Sequence, residues 1–485
     1  MTPNSEATIV VVPRERFSFA RRSLSSVFEN TTPPFKLIYV DPGTPSIVRK
    51  YLQEESERKN FKLLSRDGYI SPNRARNWAW QEVQTKYTVF LDNDALVTPG
   101  WLEELVRCAD ETGAWVVGPL YLIGEIQQRR IHLAGGRLHE KQEHGKKMLY
   151  DEQYLFDTPL DDLQAALERK AWDYAEFHCM LVRTDVLERI GPLDEELPSL
   201  HEHIDLGLSV RKAGGSVFIE PRALTSYVPP PPGEWWDLPY FMLRWSEEWN
   251  LASVRRINHK WGYSGLGWLG DKNPRSDEDT IIRFGRGHRR LMTGLRPNSE
   301  DLMSVLPVEQ AELMVALLLS VDRDRFDLRL VNSDANVIAS ETGLDPQSVF
   351  EKLRQFFLRA EQERLGVLIQ PLGPRRPENP ALVRFDGLDS VAANKIRPYS
   401  FLTLEVCPQL YQSWVAVDRA NWRSAEKLIA LVGNSETLSP VPIAGSTHFD
   451  NHRVRIVEGL AGMLVTGNQL DRGELQPYFK STQVI

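Results

Sequence analysis

The chain has 485 residues, enough for several domains at about 100–200 residues each. Its 58 Lys and Arg residues against 66 Asp and Glu give a formal net charge of −8, and 42% of the residues are hydrophobic, as in ordinary globular proteins. These totals exclude a wholly disordered chain and a strongly basic nucleic-acid-binding protein. The apolar runs are shorter than the ~20 residues of a membrane-spanning helix, so no transmembrane segment is predicted. Three scattered cysteines favour reduced thiols in a cytoplasmic protein.

Short β-branched or aromatic runs alternate with helical segments in the first half of the chain. The predicted strands are Thr8–Val12, Leu37–Val40, Thr88–Leu91, Met180–Arg183 and Val217–Glu220. The predicted helices are Phe19–Phe28, Ile47–Glu57, Arg74–Val83 and Asp205–Ala213. This alternation predicts an α/β fold, with a parallel sheet covered by helices. Ligands of such sheets bind at the carboxyl ends of the strands, which singles out Pro13–Arg16, Asp41–Gly43 and Asp92–Asp94.

A change in composition divides the chain after this region. Four prolines at Pro229–Pro232 predict a stiff extended segment, and a helical, Trp-rich stretch follows at Tyr240–Trp261. The Gly-, Asp- and Pro-rich segment Ser264–Ser299 predicts a linker, so we expect domains at residues 1–263 and 300–485. The second domain is predicted to be α/β or α+β. Its helices are expected at Leu302–Ser320, Asp345–Arg364 and Ala425–Val432, and its strands at Gly366–Gln370, Ala381–Phe385, Ser400–Glu405 and Ser413–Val417.

Two carboxylates, Asp92 and Asp94, directly follow the predicted strand Thr88–Leu91. Two such groups can hold Mg²⁺ or Mn²⁺, which prefers carboxylate and phosphate oxygens and offsets the charge of a leaving diphosphate. The alternative is a plain turn, because Asp and Asn are common turn residues. Taken alone, an Asp-x-Asp motif favours the turn.

Further sequence segments, which occur in a defined order, favour the metal-site interpretation of Asp92 and Asp94 over the plain turn. They are IVVVP at Ile9–Pro13, YVDPGTPS at Tyr39–Ser46, SPNRARNWA at Ser71–Ala79, FLDNDALVTPGWLEEL at Phe90–Leu105, MLVRTDVLERIGPLDEEL at Met180–Leu197, EHIDLGLSVRKAG at Glu202–Gly214, and LRWSEEWN with KWG within Leu243–Gly262. Together these segments resemble the family-2 glycosyltransferases. The resemblance covers most of residues 8–262 and implies a nucleotide-sugar-binding domain of the GT-A type.

The resemblance implies a role for each of several residues. Asp41 is similar to the acid that contacts the nucleotide base or ribose, and Arg76 to a basic residue near the diphosphate. Asp92 and Asp94 are similar to the ribose and metal ligands, and Pro13 is expected beside the donor. The alternatives are a helix N-cap for Asp41 and a surface ion pair for Arg76. The implied reaction transfers a sugar from a nucleoside-diphosphate sugar to an acceptor hydroxyl of a saccharide or other molecule, with inversion and with Mg²⁺ or Mn²⁺.

An inverting transfer needs a general base for the acceptor hydroxyl, and the family commonly supplies a carboxylate. The matching segment here holds Glu202, His203 and Asp205, and all three remain candidates. Where the family often carries a metal-binding histidine after the last strand, this chain has Tyr227. The histidines His132, His139 and His144 do not have the spacing of zinc ligands, so a solvated loop is predicted there.

Acids also follow a predicted strand in the second domain, at Asp386 and Asp389. With FLTLEVCPQLYQSWVAV and PIAGSTHFDN further on, they resemble the RepB-like primase domain of the archaeo-eukaryotic primase group. The resemblance implies metal ligation by Asp386 and Asp389, a phosphate contact by His448, and nucleic-acid binding through this domain alone. Because the family's Asp-Asp pair reads Asp-Gly here, we expect a degenerate domain. The alternatives to a glycosyltransferase are a replication-type nucleotidyltransferase and a non-catalytic nucleotide-binding protein.

Overall fold

The computed structural model describes residues 6–163, 167–269, 278–297, 299–373, 376, 379–418, 439–447 and 452–465. The chain forms two compact units: the first comprises residues 1–232 and 247–286, and the second residues 233–246 and 287–485. In the described parts of the chain, no helix is both long enough and apolar enough to cross a bilayer.

Both units contain strands and helices. The strands are β1 Ala7–Val12, β2 Lys36–Pro42, β3 Lys62–Arg66, β4 Tyr87–Asp92, β5 Ala95–Val97, β6 Val116–Ile123, β7 Arg130–Leu133, β8 Gly136–Glu143, β9 Lys146–Gln153, β10 Lys170–Trp172, β11 Cys179–Arg183, β12 Val217–Tyr227, β13 Gly265–Trp268, β14 Phe326–Val331, β15 Val337–Leu344, β16 Gly366–Pro371, β17 Ala381–Leu388, β18 Leu402–Cys407, β19 Leu410–Val417, β20 Val441–Pro442 and β21 Arg455–Gly459. The helices are α1 Ala20–Asn30, α2 Ser46–Lys59, α3 Pro72–Trp80, α4 Trp101–Thr112, α5 Thr184–Ile190, α6 Glu202–Lys212, α7 Leu238–Arg244, α8 Glu247–Trp261, α9 Glu278–Arg289, α10 Ser299–Ser304, α11 Pro307–Ser320, α12 Pro346–Glu363 and α13 Ser390–Ile396.

The main sheet of the first unit has the strand order β10-β12-β6-β11-β4-β1-β2-β3. Strands β3, β2, β1 and β4 pair in parallel, whereas β11 runs antiparallel between β4 and β6. Every residue of β1 and β4 is buried, which explains their unbroken apolar sequences. The carboxyl ends of β1, β2 and β4 therefore meet at one edge of the sheet, where polar residues follow each strand.

The predicted α/β class of this unit is confirmed. The short strand β3 was not predicted, because only one of its five residues is buried and no apolar run marks it. The Trp-rich stretch predicted to be helical is divided into α7 and α8, and α7 belongs to the second unit. The segment predicted as a linker holds β13, all of α9 and the short 3₁₀ turn that follows α9.

The second unit contains two antiparallel four-stranded sheets, with the orders β15-β14-β16-β20 and β17-β19-β18-β21. The predicted helix Leu302–Ser320 is divided into α10 and α11, and Pro307 starts the second of them. Helix α12 begins as expected, because the Asp345 carboxylate accepts a hydrogen bond from the Ser348 N–H at 2.8 Å. The predicted helix Ala425–Val432 lies outside the described residues.

Candidate active site

The Asp92-Asn93-Asp94 segment leaves β4 at the carboxyl edge of the main sheet and is held by its backbone. The Asp92 N–H donates to the His178 carbonyl at 3.2 Å, and the Asn93 N–H donates to the Val12 carbonyl at 2.9 Å. The Asp94 carbonyl accepts from the Val228 N–H at 3.0 Å. Hydrogen bonds to the end of β1, to the residue before β11 and to the residue after β12 thus fix the backbone from which the two carboxylates extend.

The Asp92 carboxylate is fully buried among cationic groups. Its Oδ1 atom lies 2.8 Å from Arg76 Nη2, and its Oδ2 atom lies 3.6 Å from Arg14 Nε. Burial raises the pKa of Asp92, but the attraction of Arg76, His178 and Arg14 outweighs it, and the pKa is lowered. Asp92 is therefore an anion at neutral pH.

The Asp94 carboxylate is equally buried, but its oxygens are unsatisfied. Neither Oδ1 nor Oδ2 has a hydrogen-bond partner among the described residues. Burial, followed by repulsion from Glu15 and Asp92, raises the pKa of Asp94 to about 7. A buried carboxylate without partners is costly to the folded state, and a bound cation removes that cost. The oxygen atoms of these two carboxylates thus suit a divalent metal ion as ligands.

An imidazole that the sequence analysis missed lies beside the two acids. His178 Nδ1 is 3.4 Å from Asp92 Oδ2, and the ligand atoms of Asp92, Asp94 and His178 all lie within 4.8 Å of one another. The His178 ring stacks on Tyr227, with the ring centroids 3.9 Å apart. Burial and the nearby Arg14 lower the pKa of His178 to about 4, so the imidazole is neutral at pH 7.

A second layer of polar residues surrounds His178. Glu176 Oε2 lies 2.8 Å from His132 Nε2 and 3.2 Å from His178 Nε2, and Glu176 Oε1 accepts from the Gln153 amide at 3.2 Å. Burial raises the pKa of Glu176, but His132 and His178 outweigh it and hold the pKa well below its usual range. The imidazoles of His132 and His178 therefore face an anionic, fully engaged carboxylate.

The prediction of a solvated loop for the three histidines was wrong for two of them. His132 lies in β7 and His139 lies in β8, while His144 lies in the turn between β8 and β9. Strand β7 pairs with β6, and this pairing carries His132 to Glu176. His139 pairs instead with Glu152 at 2.8 Å.

Arg76 and Asp41 both have internal partners. Arg76 is 1% exposed, donates to Asp92 and to Asn73 Oδ1 at 3.1 Å, and lies 3.9 Å above the Phe177 ring. The surface ion pair considered for Arg76 is therefore wrong. Asp41 Oδ1 accepts from the Thr44 N–H at 2.8 Å, and Oδ2 lies 2.9 Å from Arg49 Nε. Helix α2 begins beyond Thr44, at Ser46, so the N-cap considered for Asp41 is wrong as well.

The turn after β2 depends on a glycine. Gly43 has a φ of +79°, and a Cβ atom there would lie 3.0 Å from the backbone of Gly68. Only glycine adopts this conformation and permits the close approach without strain. The Asp41 turn is therefore fixed by the sequence Asp-Pro-Gly-Thr.

Arg14 is a site residue that the sequence analysis included only within a range. It follows Pro13 at the end of β1, and its side chain is 21% exposed. Arg14 Nη1 lies 2.9 Å from Glu15 Oε1, and the pKa of Arg14 is raised because attraction to Glu15, Tyr227 and Asp92 outweighs burial. Arg14 is thus a permanent cation beside Asp92 that keeps contact with solvent.

The three candidates for the general base differ in their surroundings. Asp205 is engaged by the Lys260 ammonium at 2.8 Å and by the Trp261 indole N–H at 2.8 Å. Glu202 is buried at the start of α6. His203 is partly exposed, with its ring 5.2 Å from that of Tyr174. Burial lowers the pKa of His203, although Glu176 and Glu202 oppose this, so the imidazole is neutral at pH 7.

The acids predicted in the second unit have structural partners. Asp386 is half-exposed, and its oxygens bind Arg384 Nε at 2.9 Å and Gln412 Nε2 at 2.5 Å. Asp389 is the N-cap of α13 and accepts from the Ala392 N–H at 2.7 Å. His448 lies outside the described residues. Among the residues that the structure does describe, groups of three potential metal ligands occur only around His178.

Comparison with known sequences gives an assignment for the first unit. Residues 8–191 match the family model described as Glycosyl transferase family 2. An uncharacterized protein, y4gI, from Sinorhizobium fredii is 23% identical over 43% of this chain and 23% of its own length. The O-antigen biosynthesis protein RfbC from Myxococcus xanthus is 23% identical over 43% of this chain and 16% of its own length. The match thus spans less than a quarter of either relative.

Similar solved structures include GalNAc-T7 with UDP, GalNAc and Mn²⁺, which is 14% identical, with a TM-score of 0.38 over 59% of this chain and 55% of that one. Residues 1–349 of TarS from S. aureus in complex with UDP-GlcNAc are 12% identical, with a TM-score of 0.34 over 65% of this chain and 88% of that one. These scores are too low to bear on function. The family model does bear on function: residues 8–191 match the glycosyl transferase family 2 model, and this match supports the predicted enzyme class, glycosyltransferase, for that part of the chain.

Proposed function

We propose that this protein transfers a sugar from a nucleoside-diphosphate sugar to an acceptor hydroxyl, with inversion at the anomeric carbon and with a bound divalent cation. The observation that carries the proposal is the pair of buried carboxylates at the carboxyl end of β4. Both oxygens of Asp94 are without hydrogen-bond partners in the described structure. One ligand atom of Asp94 lies within 4.8 Å of a ligand atom of Asp92. Ligands of α/β sheets bind at the carboxyl ends of the strands, so we expect the donor at this edge.

The cation proposed here is Mg²⁺ or Mn²⁺, held by Asp92 and Asp94. Such an ion supplies positive charge to the diphosphate as it leaves. Arg76 is proposed to orient Asp92, because its guanidinium is buried and bonded to that carboxylate and to Asn73. Its removal would leave Asp92 without its shortest ion pair.

Contacts to the donor come from residues at the ends of β1 and β2. Arg14 is the cation with solvent access beside Asp92, so we assign to it the diphosphate contact that the sequence analysis gave to Arg76. Asp41 is oriented by Thr44 and Arg49, and each carboxylate oxygen retains a second lone pair for a ribose or base donor. Pro13 directly follows β1 and precedes Arg14 in the chain.

The general base in this proposal is His203. Its lowered pKa leaves the imidazole neutral, and its partial exposure gives an acceptor access to it. The acceptor oxygen attacks the anomeric carbon, its proton passes to the His203 ring, and the electron pair of the broken carbon–oxygen bond goes to the diphosphate. Asp205 is a poor alternative because Lys260 and Trp261 already bind its oxygens. Glu202 would assist by favouring the protonated imidazole after transfer.

The test is consumption of nucleotide sugars by the full chain, with and without Mn²⁺. A panel of uridine, guanosine and deoxythymidine diphosphate sugars is offered to the wild type, to Asp94→Ala and to Asp110→Asn. Asp110 is a matched control, because it is a surface acid paired with Lys86 at 2.6 Å. We expect metal-dependent release of the nucleoside diphosphate by the wild type and the control only. Proton NMR of the glycoside or free sugar formed reads the anomeric configuration, and retention would contradict the inverting route.

A further inference from the structure

Four buried atoms at the end of β4 converge without hydrogen-bond partners in the part of the chain that the structure describes. They are Asp92 Oδ2, both carboxylate oxygens of Asp94, and His178 Nδ1. Asp92 and Asp94 lie at the end of β4, and His178 lies just before β11. One ligand atom from each of the three side chains lies within 4.8 Å of the other two. Burying such atoms without hydrogen-bond partners is costly, and a cation bound between them would remove that cost.

The tautomer of His178 follows from its other neighbour. A neutral imidazole has one N–H and one lone pair. His178 Nε2 lies 3.2 Å from Glu176 Oε2, and an ionised carboxylate accepts hydrogen bonds but cannot donate them. The other ring nitrogen, Nδ1, also faces a carboxylate oxygen, Asp92 Oδ2, but at the longer distance of 3.4 Å. The shorter contact to Glu176 favours the tautomer with the proton on Nε2 and the lone pair on Nδ1.

Glu176 is itself held in place. His132 Nε2 lies 2.8 Å from Glu176 Oε2, and the Gln153 amide donates to Oε1 at 3.2 Å. The carboxylate cannot turn away from His178 without breaking these bonds. Carboxylates that accept the second N–H of a metal-bound imidazole orient the ring and increase its basicity.

We propose that His178 Nδ1 is a third protein ligand of the divalent cation, that Glu176 is the positioning residue that keeps this nitrogen unprotonated, and that the site therefore prefers Mn²⁺ to Mg²⁺. The proposal deepens the proposed function and rests on its cation site. Imidazole nitrogen suits first-row transition ions, whereas Mg²⁺ prefers oxygen ligands throughout. The imidazole comes from the segment before β11 and stacks on Tyr227. Tyr227 is the residue that stands where the family often carries a metal-binding histidine.

The experiment measures Mn²⁺ bound to the full chain without any sugar donor. Pulsed electron paramagnetic resonance of the Mn²⁺ complex detects coupling to a coordinated ¹⁴N nucleus, and titration gives the affinities for Mn²⁺ and Mg²⁺. The variants are His178→Phe, which keeps an aromatic ring against Tyr227, and Glu176→Gln, whose amide can donate to Nε2 and move the proton to Nδ1. His139→Phe is the control, because His139 also faces a carboxylate, Glu152 at 2.8 Å, but lies outside the site.

We expect nitrogen coupling and a preference for Mn²⁺ in the wild type and in His139→Phe. His178→Phe loses the coupling and most of the preference, and Glu176→Gln weakens Mn²⁺ binding by about 10–100-fold. Thermal melting of each variant shows that it is folded. Wild-type Mn²⁺ without nitrogen coupling, or a folded His178→Phe that binds Mn²⁺ normally, would overturn the inference.

Failure of this inference and failure of the proposed function give different results. If nucleotide sugars are consumed and Asp94→Ala abolishes this, but His178→Phe binds Mn²⁺ as the wild type does, only the role of His178 is wrong. If the nitrogen coupling is present but no nucleotide sugar is consumed, the ligand set stands and the transfer reaction is wrong.

Discussion

Acids follow a buried strand in both units of this protein, and the structure gives the two pairs opposite surroundings. Asp94, after β4, is fully buried, and its oxygens are without hydrogen-bond partners in the described structure. Asp386, in β17, is half-exposed and bound by Arg384 and Gln412, and Asp389 caps α13. The aspartate carboxylate of Asp94 near the end of a strand thus lacks hydrogen-bond partners in the described part of the first unit, whereas those of Asp386 and Asp389 in the second unit have them.

The difference shows how a ligand site and a structural feature can be told apart. A buried carboxylate with unsatisfied oxygens lowers stability, and it persists in a fold when a ligand supplies the missing charge. A carboxylate that caps a helix already contributes to stability. The acids of the first unit are therefore the ones that we propose to bind a cation, and those of the second unit have a structural role in the fold.

The largest expected effect distinguishes Asp94 from Asp386. Asp94→Asn should lower kcat/KM for sugar transfer by about 1000-fold, because loss of the cation removes several kcal/mol of charge stabilisation. The same substitution should raise the melting temperature of the metal-free protein, since it removes a buried negative charge beside Glu15 and Asp92. Asp386→Asn should change neither quantity appreciably. Kinetic assays and thermal melting of both variants check the comparison, and a comparable loss of transfer in Asp386→Asn would break it.

His203 should have the next largest effect. His203→Gln is expected to lower kcat by about 100-fold, at the lower end for loss of a general base. The wild-type rate should fall as the pH drops through the pKa of His203, which is lowered from 6.5, because only the neutral ring accepts a proton. Saturating Mn²⁺ keeps the Asp94 carboxylate ionised. Under that condition, rates from pH 4.5 to 8.5 should show this acidic limb in the wild type and lose it in His203→Gln. If Asp205→Asn removed the limb instead, Asp205 would be the base.

Arg14 is expected to act on donor binding. Arg14→Ala should lower kcat/KM for the donor by about 10–100-fold, the loss expected for a charge-assisted hydrogen bond of 1.5–3 kcal/mol. The control is Arg22→Ala, which removes an exposed arginine paired with Glu125 at 2.8 Å. Steady-state kinetics with varied concentrations of the sugar donor compares kcat/KM for Arg14→Ala with that for the control Arg22→Ala. Equal effects of both variants would mean that Arg14 contributes only general positive charge.

The smallest effect is expected at Asp389. Asp389→Ala should lower the free energy of unfolding by about 1 kcal/mol, the usual cost of losing an N-cap, and leave sugar transfer unchanged. Asp345→Ala, which removes the N-cap of α12, should have a similar cost. Urea denaturation and the transfer assay provide both measurements. Loss of a catalytic activity without loss of stability would return Asp389 to the role of a metal ligand.

The sequence predicted those parts of the first unit that depend on local pattern. Strands β1 and β4 are short unbroken apolar runs, and the positions of Asp92 and Asp94 follow from the end of β4. Strand β3 has one buried residue and leaves little hydrophobic signal. The local sequence pattern thus predicts where the buried strands end, but it does not predict the more exposed strand β3.

The missed part of the candidate site depends on contacts between distant residues. His132 and Glu176 are 44 positions apart and meet only because β7 pairs with β6, which pairs in turn with β11. Glu176 and His178 precede β11 in a segment with no recognisable motif. Hydrogen-bond satisfaction, which separates Asp94 from Asp386, is a property of the packed structure, and residue spacing does not encode it.

Calorimetric titration of Mn²⁺ into the full chain, with a nucleoside diphosphate present, tests the central claim most directly. The wild type and Asp386→Asn are predicted to bind one ion per chain with equal affinity at this site, and Asp94→Asn is predicted to lose that binding. Undiminished Mn²⁺ binding by Asp94→Asn, or its loss in Asp386→Asn, would contradict the assignment of the cation to the acids that follow β4.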